Sequence, residues 1–360
     1  MQKESCTRMM ASASVDAVLL TSPANMRYVS GFAGEGYVYL SEKQAVIATD
    51  SRYRIAAKQC PGFLAVEWKA GHYFDALRGA LADDGVKRLG VEEEHMTVAD
   101  HEKLRQELGG LSCVELTFIS QPLAKLRYVK SEDEICRIEK AEAIGDRAFS
   151  RVLPLLKPGM TEKQVAAYLE FFMKEEGAEG FSFETIAASG LNSAMPHAVP
   201  SDKPLAPGDF LTMDFGCLYR GYCSDMTRTV VIGRASDRQK TIYETVLAAQ
   251  QAALDKIRPG LTGSEADALA RQVIEKSGYG KYFGHSLGHS VGLEIHESPN
   301  FSPREETRIE PGMVLSVEPG IYIEGFGGVR IEDLIVVTEN GCRNLTHSEK
   351  KLIETGESEE

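Results

Sequence analysis

A chain of 360 residues exceeds the usual span of one domain, so two are expected. Apolar residues at 43% and charged residues at 26% describe an ordinary soluble protein able to bury a sizeable core. A net charge of −13 provides no basic stripe to neutralise phosphates, which excludes a nucleic-acid partner. The seven cysteines (Cys6, Cys60, Cys113, Cys136, Cys217, Cys223, Cys342) are scattered, odd in number and without C-x-x-C spacing, as expected of reduced thiols in a cytoplasmic protein. Asp16 interrupts the apolar run after Lys3 and Arg8, which makes a poor signal peptide. No apolar run approaches membrane-spanning length, so no membrane partner is expected either.

In the first third, "DAVLLT", "QAVIATD", "FLAVEW" and "RLGVE" have the apolar, β-branched character of strands. "SRYRIAAKQ", "YFDALRGALA" and "VADHEKLRQEL" have the spacing of amphipathic helices between them. This alternation predicts an α/β domain whose elements end near Ile119, with a boundary at residues 125/126. The segment "SQPLAKLRYVKSEDE" then reads as a connector carrying Pro122. Ser131, Glu132, Asp133 and Glu134 suit the positive end of a helix dipole and predict a long helix to about Leu156.

From there the sequence repeats itself weakly with a period of roughly one hundred residues, a signature of repeated supersecondary units. "LKPGMTE" returns as "IRPGLTG", and the helix after each ends at a glycine, Gly177 or Gly278. "MPHAVP" returns as "EIHESP", so His197 and His296 each precede a proline by three residues. "PGDFLTMDFG" returns as "PGMVLSVEPG" and "GYCSD" as "GVRIE", which pairs Asp214 with Glu318 and Asp225 with Glu332. Two αα-plus-β halves related by a pseudo-two-fold axis follow, in residues 126–360.

"FLTMDFGCLYRGYCSDMTRTVVIG" reads as a hairpin turning near Tyr219-Arg220-Gly221. If Leu218 pairs with Gly221, Asp214 stands directly opposite Asp225, a destabilising arrangement unless a cation or shared proton intervenes. Glu318 and Glu332 repeat the predicament across "EGFGG". Four carboxylates brought together in a low dielectric repel by many kcal/mol, which two divalent cations offset. Taken singly, Asp225 reads equally well as a solvated or turn-capping residue, and His197 as a core or surface histidine; the repetition favours a site.

Rival motifs fail on context. "DFG" at Asp214 has neither the glycine-rich loop nor the catalytic loop of a kinase. Gly284-His285-Ser286-Leu287-Gly288 matches a nucleophile elbow, with Asp333 and His347 in triad order. Its flanks, "KSGYGKYF" and "HSVGLEIHESP", are nevertheless neither a buried strand nor a helix, and no HGGG-type oxyanion loop is present. His296-Glu297 lacks the second histidine of H-E-x-x-H.

"MDFGCLYRGYCSDMTRT", "GHSLGHSVGLEIHE", "SVEPGIYI" and "GGVRIED" resemble the pita-bread dinuclear metallopeptidases, above all the Xaa-Pro peptidases aminopeptidase P and prolidase. "TSPANMRYVSGFAG" and "TDSRYRIAAKQ" resemble the creatinase-like N-terminal domain of that family. The resemblance implies a creatinase-like α/β domain before an α+β pita-bread catalytic domain. It further implies that Asp214, Asp225 and Glu332 hold one metal and Asp225, His289, Glu318 and Glu332 the other. His197, His285 and His296 then line the substrate site, and Arg330 supports it. Such an oxygen-rich set suits Mn²⁺ and tolerates Co²⁺, Fe²⁺ or Zn²⁺. The implied reaction is attack by a metal-bridging hydroxide, with Glu318 as proton shuttle and His296 and His197 steadying the carbonyl oxygen.

Expected substrates are short proline-containing peptides cleaved one residue at a time from the N-terminus. The N-terminal domain is expected to wall the cleft or build a homodimer that does. Ser286 and Ser290 replace glycines common in the family, and Asn300 stands where many relatives carry arginine, which weakens the dipeptidase alternative. Arg304 is a substitute for that arginine. A methionine aminopeptidase needs no such N-terminal domain, and a creatinase-type hydrolase or a non-enzymatic peptide-binding module lacks the five ligands.

Overall fold

The computed structural model describes residues 2–69, 71–109 and 114–356, in two compact units, Met1–Arg127 and Tyr128–Glu360. Cys113 lies outside the described residues.

The first unit is a six-stranded sheet in the order Leu64–Glu67, Ala45–Thr49, Tyr37–Ser41, Ala17–Leu20, Arg88–Val91, Glu115–Phe118. Alternate residues of its central strands feed opposite faces, as the two-residue period of a strand requires. Val18, Leu20, Val38 and Leu40 pack on one side with Met9, Met26 and Leu123. Leu19, Tyr37, Tyr39 and Val46 pack on the other with Leu77, Leu81 and Leu104. The four strands and three helices expected here are present. The strands Tyr37–Ser41 and Glu115–Phe118 and the helices Gln2–Ser12 and Pro23–Ser30 are additional.

The segment read as a connector is instead partly the helix Ser120–Leu126. Pro122 lies in its first turn, where a missing N–H costs no helical hydrogen bond. Leu123 is buried in the first core and the Leu126 carbonyl accepts the Tyr28 hydroxyl, so tertiary contacts hold this short helix.

The second unit contains two long helical pairs, Glu132–Val152 with Glu162–Glu175 and Asp237–Leu254 with Gly263–Lys276. Each helix opens with a reciprocal cap: Ser131 with Glu134, Thr161 with Gln164, Ser236 with Gln239, and Thr262 with Glu265. The first stops at Val152, short of the expected Leu156, and continues as a 3₁₀ turn Leu153–Leu155 because Pro154 cannot donate to the helix.

The internal repeat extends to single hydrogen bonds. Gly159 N–H donates to Leu205 O as Gly260 N–H donates to Ile309 O, and the return bonds Leu205 to Met160 and Ile309 to Leu261 match as well. The first half builds a sheet on Ile186–Ser189, Phe210–Phe215 and Met226–Ile232, the second on Gly288–Ser290, Val314–Val317 and Asp333–Thr338.

The hairpin register differs from expectation. Arg220 (φ 48°) and Gly221 (φ 77°) form a two-residue turn, so Tyr219 pairs with Tyr222 and Leu218 with Cys223. Asp214 therefore pairs with Thr227, not Asp225. The slip is two residues, so both aspartates stay on one face as diagonal neighbours. In the second half Val317 pairs with Asp333 and Gly320 with Arg330, and this common register brackets Glu318 and Glu332 at facing positions.

Candidate active site

Neither strand of the first hairpin is continuous. It breaks at Gly216 on one side and at Ser224-Asp225 on the other. A Cβ at Gly216 would come 2.0 Å from the Ser224 carbonyl oxygen, so only glycine lets the backbone approach there. Asp225 N–H donates to the buried Glu142 carboxylate, whose other oxygen accepts from Thr346. Gly216→Ala is expected to push Asp225 out of place and destabilise the fold by about 1–3 kcal/mol, the usual range for overpacking. Thermal melting together with metal titration checks this; an unchanged variant would mean that the close approach is not needed.

The carboxylates and imidazole named from the sequence meet at one cavity of about 710 Å³. Asp214, Asp225, His289, Glu318 and Glu332 all line it. So do His197, His285, His296 and Arg330, and so does Asn300. Arg304 is not part of the lining. Ligand-type atoms of Asp225, His289 and Glu332 lie within 4.8 Å of one another. His289 Nε2 is 3.4 Å from Asp225 Oδ2 and 3.6 Å from Glu318 Oε1. Asp225 and Glu332 are 4% and 1% exposed, so this charge sits away from bulk water.

Burial, compounded by Asp214 and Glu318, raises the Asp225 carboxyl well above its ordinary range. Burial followed by Asp225 does the same to Glu332, and burial raises Glu318. Asp214 Oδ1 and Glu332 Oε1 are buried without a hydrogen-bond partner. Buried oxygens are ordinarily satisfied, so two orphans in a carboxylate cluster mark places for cations. The donor set fits divalent metal ions.

Around the cluster, hydroxyls and a guanidinium set the orientation. Arg330 donates to Asp214 Oδ2 at 2.6 Å and to the Thr227 hydroxyl at 3.0 Å, and Thr227 donates to Glu332 Oε2 at 2.7 Å. Ser316 donates to Glu318 Oε1 at 3.2 Å and accepts from His289 N–H. Thr227 and Ser316 escaped the sequence reading although a signal was present. Each stands two residues from a candidate ligand on a strand path, the spacing that shares a face.

His285 Nδ1 faces the Ser286 carbonyl at 2.8 Å and its Nε2 faces the Tyr322 hydroxyl at 3.0 Å. A carbonyl only accepts, so Nδ1 carries the hydrogen and Nε2 accepts from Tyr322, whose oxygen accepts from Arg330 at 2.8 Å. Burial and the nearby Arg330 push His285 down to about 4, so it stays neutral at physiological pH.

Ser286 has no elbow around it: the residues before it form a 3₁₀ turn, Gly280–Tyr282, and a strand follows, Gly288–Ser290. Asp333, the would-be triad acid, is fully buried and bonded to Arg228, Asn344 and Lys350.

Residues 136–339 match metallopeptidase family M24, and residues 3–129 match the creatinase/prolidase N-terminal domain. The chain belongs to metallopeptidase family M24. Among its similar proteins is the Xaa-Pro dipeptidase of Pyrococcus horikoshii, 41% identical over 94% of this chain and 95% of that one. The solved Xaa-Pro dipeptidase from Bacillus anthracis superposes with a TM-score of 0.93 at 44% identity, covering 98% of both chains. The X-Pro aminopeptidase from Thermotoga maritima superposes with a TM-score of 0.90 at 40% identity, over 97% of this chain and 100% of that one. The architecture is the expected one: a creatinase-type α/β domain and an α+β pita-bread domain with an internal repeat. No helix among the described residues is long and apolar enough to cross a membrane.

Proposed function

We propose that this M24 metallopeptidase is an Xaa-Pro aminopeptidase that removes the residue preceding proline from the N-terminus of short peptides. The convergence of Asp225, His289 and Glu332 beside Asp214 and Glu318 in one cavity carries the reading. The proline preference is carried over from relatives named for it at 40% identity or more. Asp214, Asp225 and Glu332 would hold one divalent ion and Asp225, His289, Glu318 and Glu332 a second. Bound there, the ions would supply a nucleophile drawn from water and polarise the scissile carbonyl.

This chain's own residues do the rest. Glu318 accepts a proton at the reacting centre and passes it to the departing proline nitrogen. His197, exposed at the cavity, and His296 donate to the carbonyl oxygen as charge builds on it. Arg330 holds Asp214, and neutral His285 holds Tyr322, which makes His285 an orienting group rather than a proton donor.

Mn²⁺ is the proposed ion, on the hardness of an oxygen-rich donor set. A cytoplasmic location is in keeping with the described cysteines, all free thiols, and a homodimer rests on the family resemblance.

The dipeptidase alternative has the names of relatives in its favour. Against it, Asn300 in the cavity offers no charge-assisted fork to a dipeptide's carboxylate, an interaction worth about 1.5–3 kcal/mol. Xaa-Pro-Yaa peptides are therefore expected to exceed matched Xaa-Pro dipeptides by about tenfold or more in kcat/KM with Mn²⁺ present. Xaa-Ala-Yaa should be far slower and N-acetylated peptides nearly inert. A strong dipeptide preference would make the enzyme a prolidase, and fast cleavage of Met-Ala peptides would remove the proline assignment.

A further inference from the structure

We infer that Lys130, outside the cavity lining, is a positioning residue for the imidazoles of His289 and His296; the inference rests on the proposed metallopeptidase site and extends it. The Lys130 and Glu297 side chains are 2% and 3% exposed, with Lys130 Nζ 3.1 Å from Glu297 Oε2. The same ammonium donates to the Ser290 hydroxyl at 3.0 Å, and that hydroxyl donates to the Val314 carbonyl. Lys130 thus reaches two residues that are sequence neighbours of site histidines: Ser290 follows His289, and Glu297 follows His296.

Those two residues define an irregular place in the sheet. His289 pairs with Asn300, yet Ser290 pairs with Glu297, a slip of two residues between adjacent positions. Such a bulge re-aims a side chain, but something must hold it against sliding into regular register. Here Ser290 and Glu297 are fastened to one ammonium. The other Glu297 oxygen accepts the amides of Leu293 and Glu294, which closes the turn leading to His296. Gly292 leaves room for this carboxylate, since a Cβ there would come 2.6 Å from it. The outcome is visible in the rings, with His289 and His296 4.4 Å apart and nearly perpendicular.

The physical role of Lys130 is to hold the Glu297 carboxylate inward and the Ser290 hydroxyl in place. A buried carboxylate that loses a charge-assisted partner shifts towards water. That shift withdraws the acceptor from Leu293 and Glu294 and frees the bulge, so both imidazoles lose their setting. A neutral pair that keeps the acceptor oxygen can hold that setting.

The test uses the full chain and two readouts that need no peptide. The ring proton resonances of His289 and His296 are followed in the metal-free protein, and Mn²⁺ binding is measured by calorimetry. Lys130→Met should displace both ring resonances and weaken Mn²⁺ binding by about 10–100-fold, the usual effect of losing a residue that orients metal ligands. Lys130→Arg should retain most of the affinity. Lys130→Met/Glu297→Gln should return the resonances and most of the affinity, because the Gln oxygen still accepts the two amides and a neutral amide needs no ammonium beside it. If Lys130→Met alone fails to fold, recovery in the double variant supports the same conclusion. Unchanged resonances and affinity in Lys130→Met overturn it. A loss that the double variant does not recover overturns it too, since the effect then does not run through Glu297. Failure to cleave any Xaa-Pro peptide would remove the proposed function while leaving these readouts, and the part assigned to Lys130, to stand on their own.

Discussion

His289→Ala is expected to lower kcat/KM for Xaa-Pro-Yaa peptides by about 10²–10³-fold, because losing a metal ligand removes electrostatic stabilisation on at least the scale of one oxyanion-hole donor. Ser286→Ala, three residues away in sequence, should keep most of the activity. The contrast follows from surroundings. His289 Nε2 lies within 3.6 Å of both Asp225 and Glu318, and ligand-type atoms of Asp225, His289 and Glu332 lie within 4.8 Å of one another. Losing it removes the single nitrogen donor proposed for that cluster, so bound metal should fall together with turnover. Ser286 lies in a polypeptide with no helix behind it, and its would-be acid Asp333 is held by Arg228, Asn344 and Lys350. Metal content and steady-state kinetics of both variants decide the matter. A dead Ser286→Ala with full metal would restore the serine reading, and an active, metal-loaded His289→Ala would remove the imidazole from the site.

The pairing of the carboxylates was legible because the chain writes its site twice. Asp214 and Glu318, or Asp225 and Glu332, occupy equivalent places in the two halves, and period-two strands carried them to one face even though the first hairpin's register was misplaced by two residues. That misplacement had a local cause: Arg220 adopts a positive φ, an uncommon state for a residue other than glycine, and so the two-residue turn is Arg220-Gly221 rather than Tyr219-Arg220. Elements with weak periodicity were harder to see. The helix Ser120–Leu126 is held by Leu123 and by the Tyr28 hydroxyl, a partner about a hundred residues away that no local window contains. Lys130 is a stronger case. In the sequence it is one lysine of a mixed-charge segment, and only the fold shows it buried against Glu297 and Ser290. Tyr322, likewise, reads as a strand aromatic until His285 and Arg330 are seen to bond its hydroxyl.

Removing the metal should cost stability as well as activity, and the cost should grow with pH. Each ion bound at 100 times its dissociation constant stabilises the fold by about 2.7 kcal/mol, so chelation should lower Tm by roughly 5–10 °C per ion for a unit of this size. The pH dependence comes from the carboxylates. In the metal-free protein the pKa values of Asp225, Glu318 and Glu332 are raised above the ordinary 3.8 for Asp and 4.5 for Glu, with burial the first cause in each. The folded state then holds protons that the unfolded chain has already released. Stability of the metal-free form is greatest below the ordinary values and declines as pH rises through them towards the raised ones, by about 1.4 kcal/mol per pH unit for each proton so held. Cations reverse the preference, because they bind the ionised form and are themselves displaced by protons on acidification. The loaded and metal-free melting curves should therefore converge near pH 5 and separate steadily towards pH 8. Asp225→Asn removes one of the repelling charges along with a proposed bridging ligand, so its metal-free form should lose less stability over that range than the parent while binding metal far more weakly. Calorimetric melting of parent and Asp225→Asn, with Mn²⁺ and with chelator at several pH values, measures all of this. A gap between loaded and metal-free protein that is absent, or that does not widen with pH, would mean that the four carboxylates do not share one unsatisfied site.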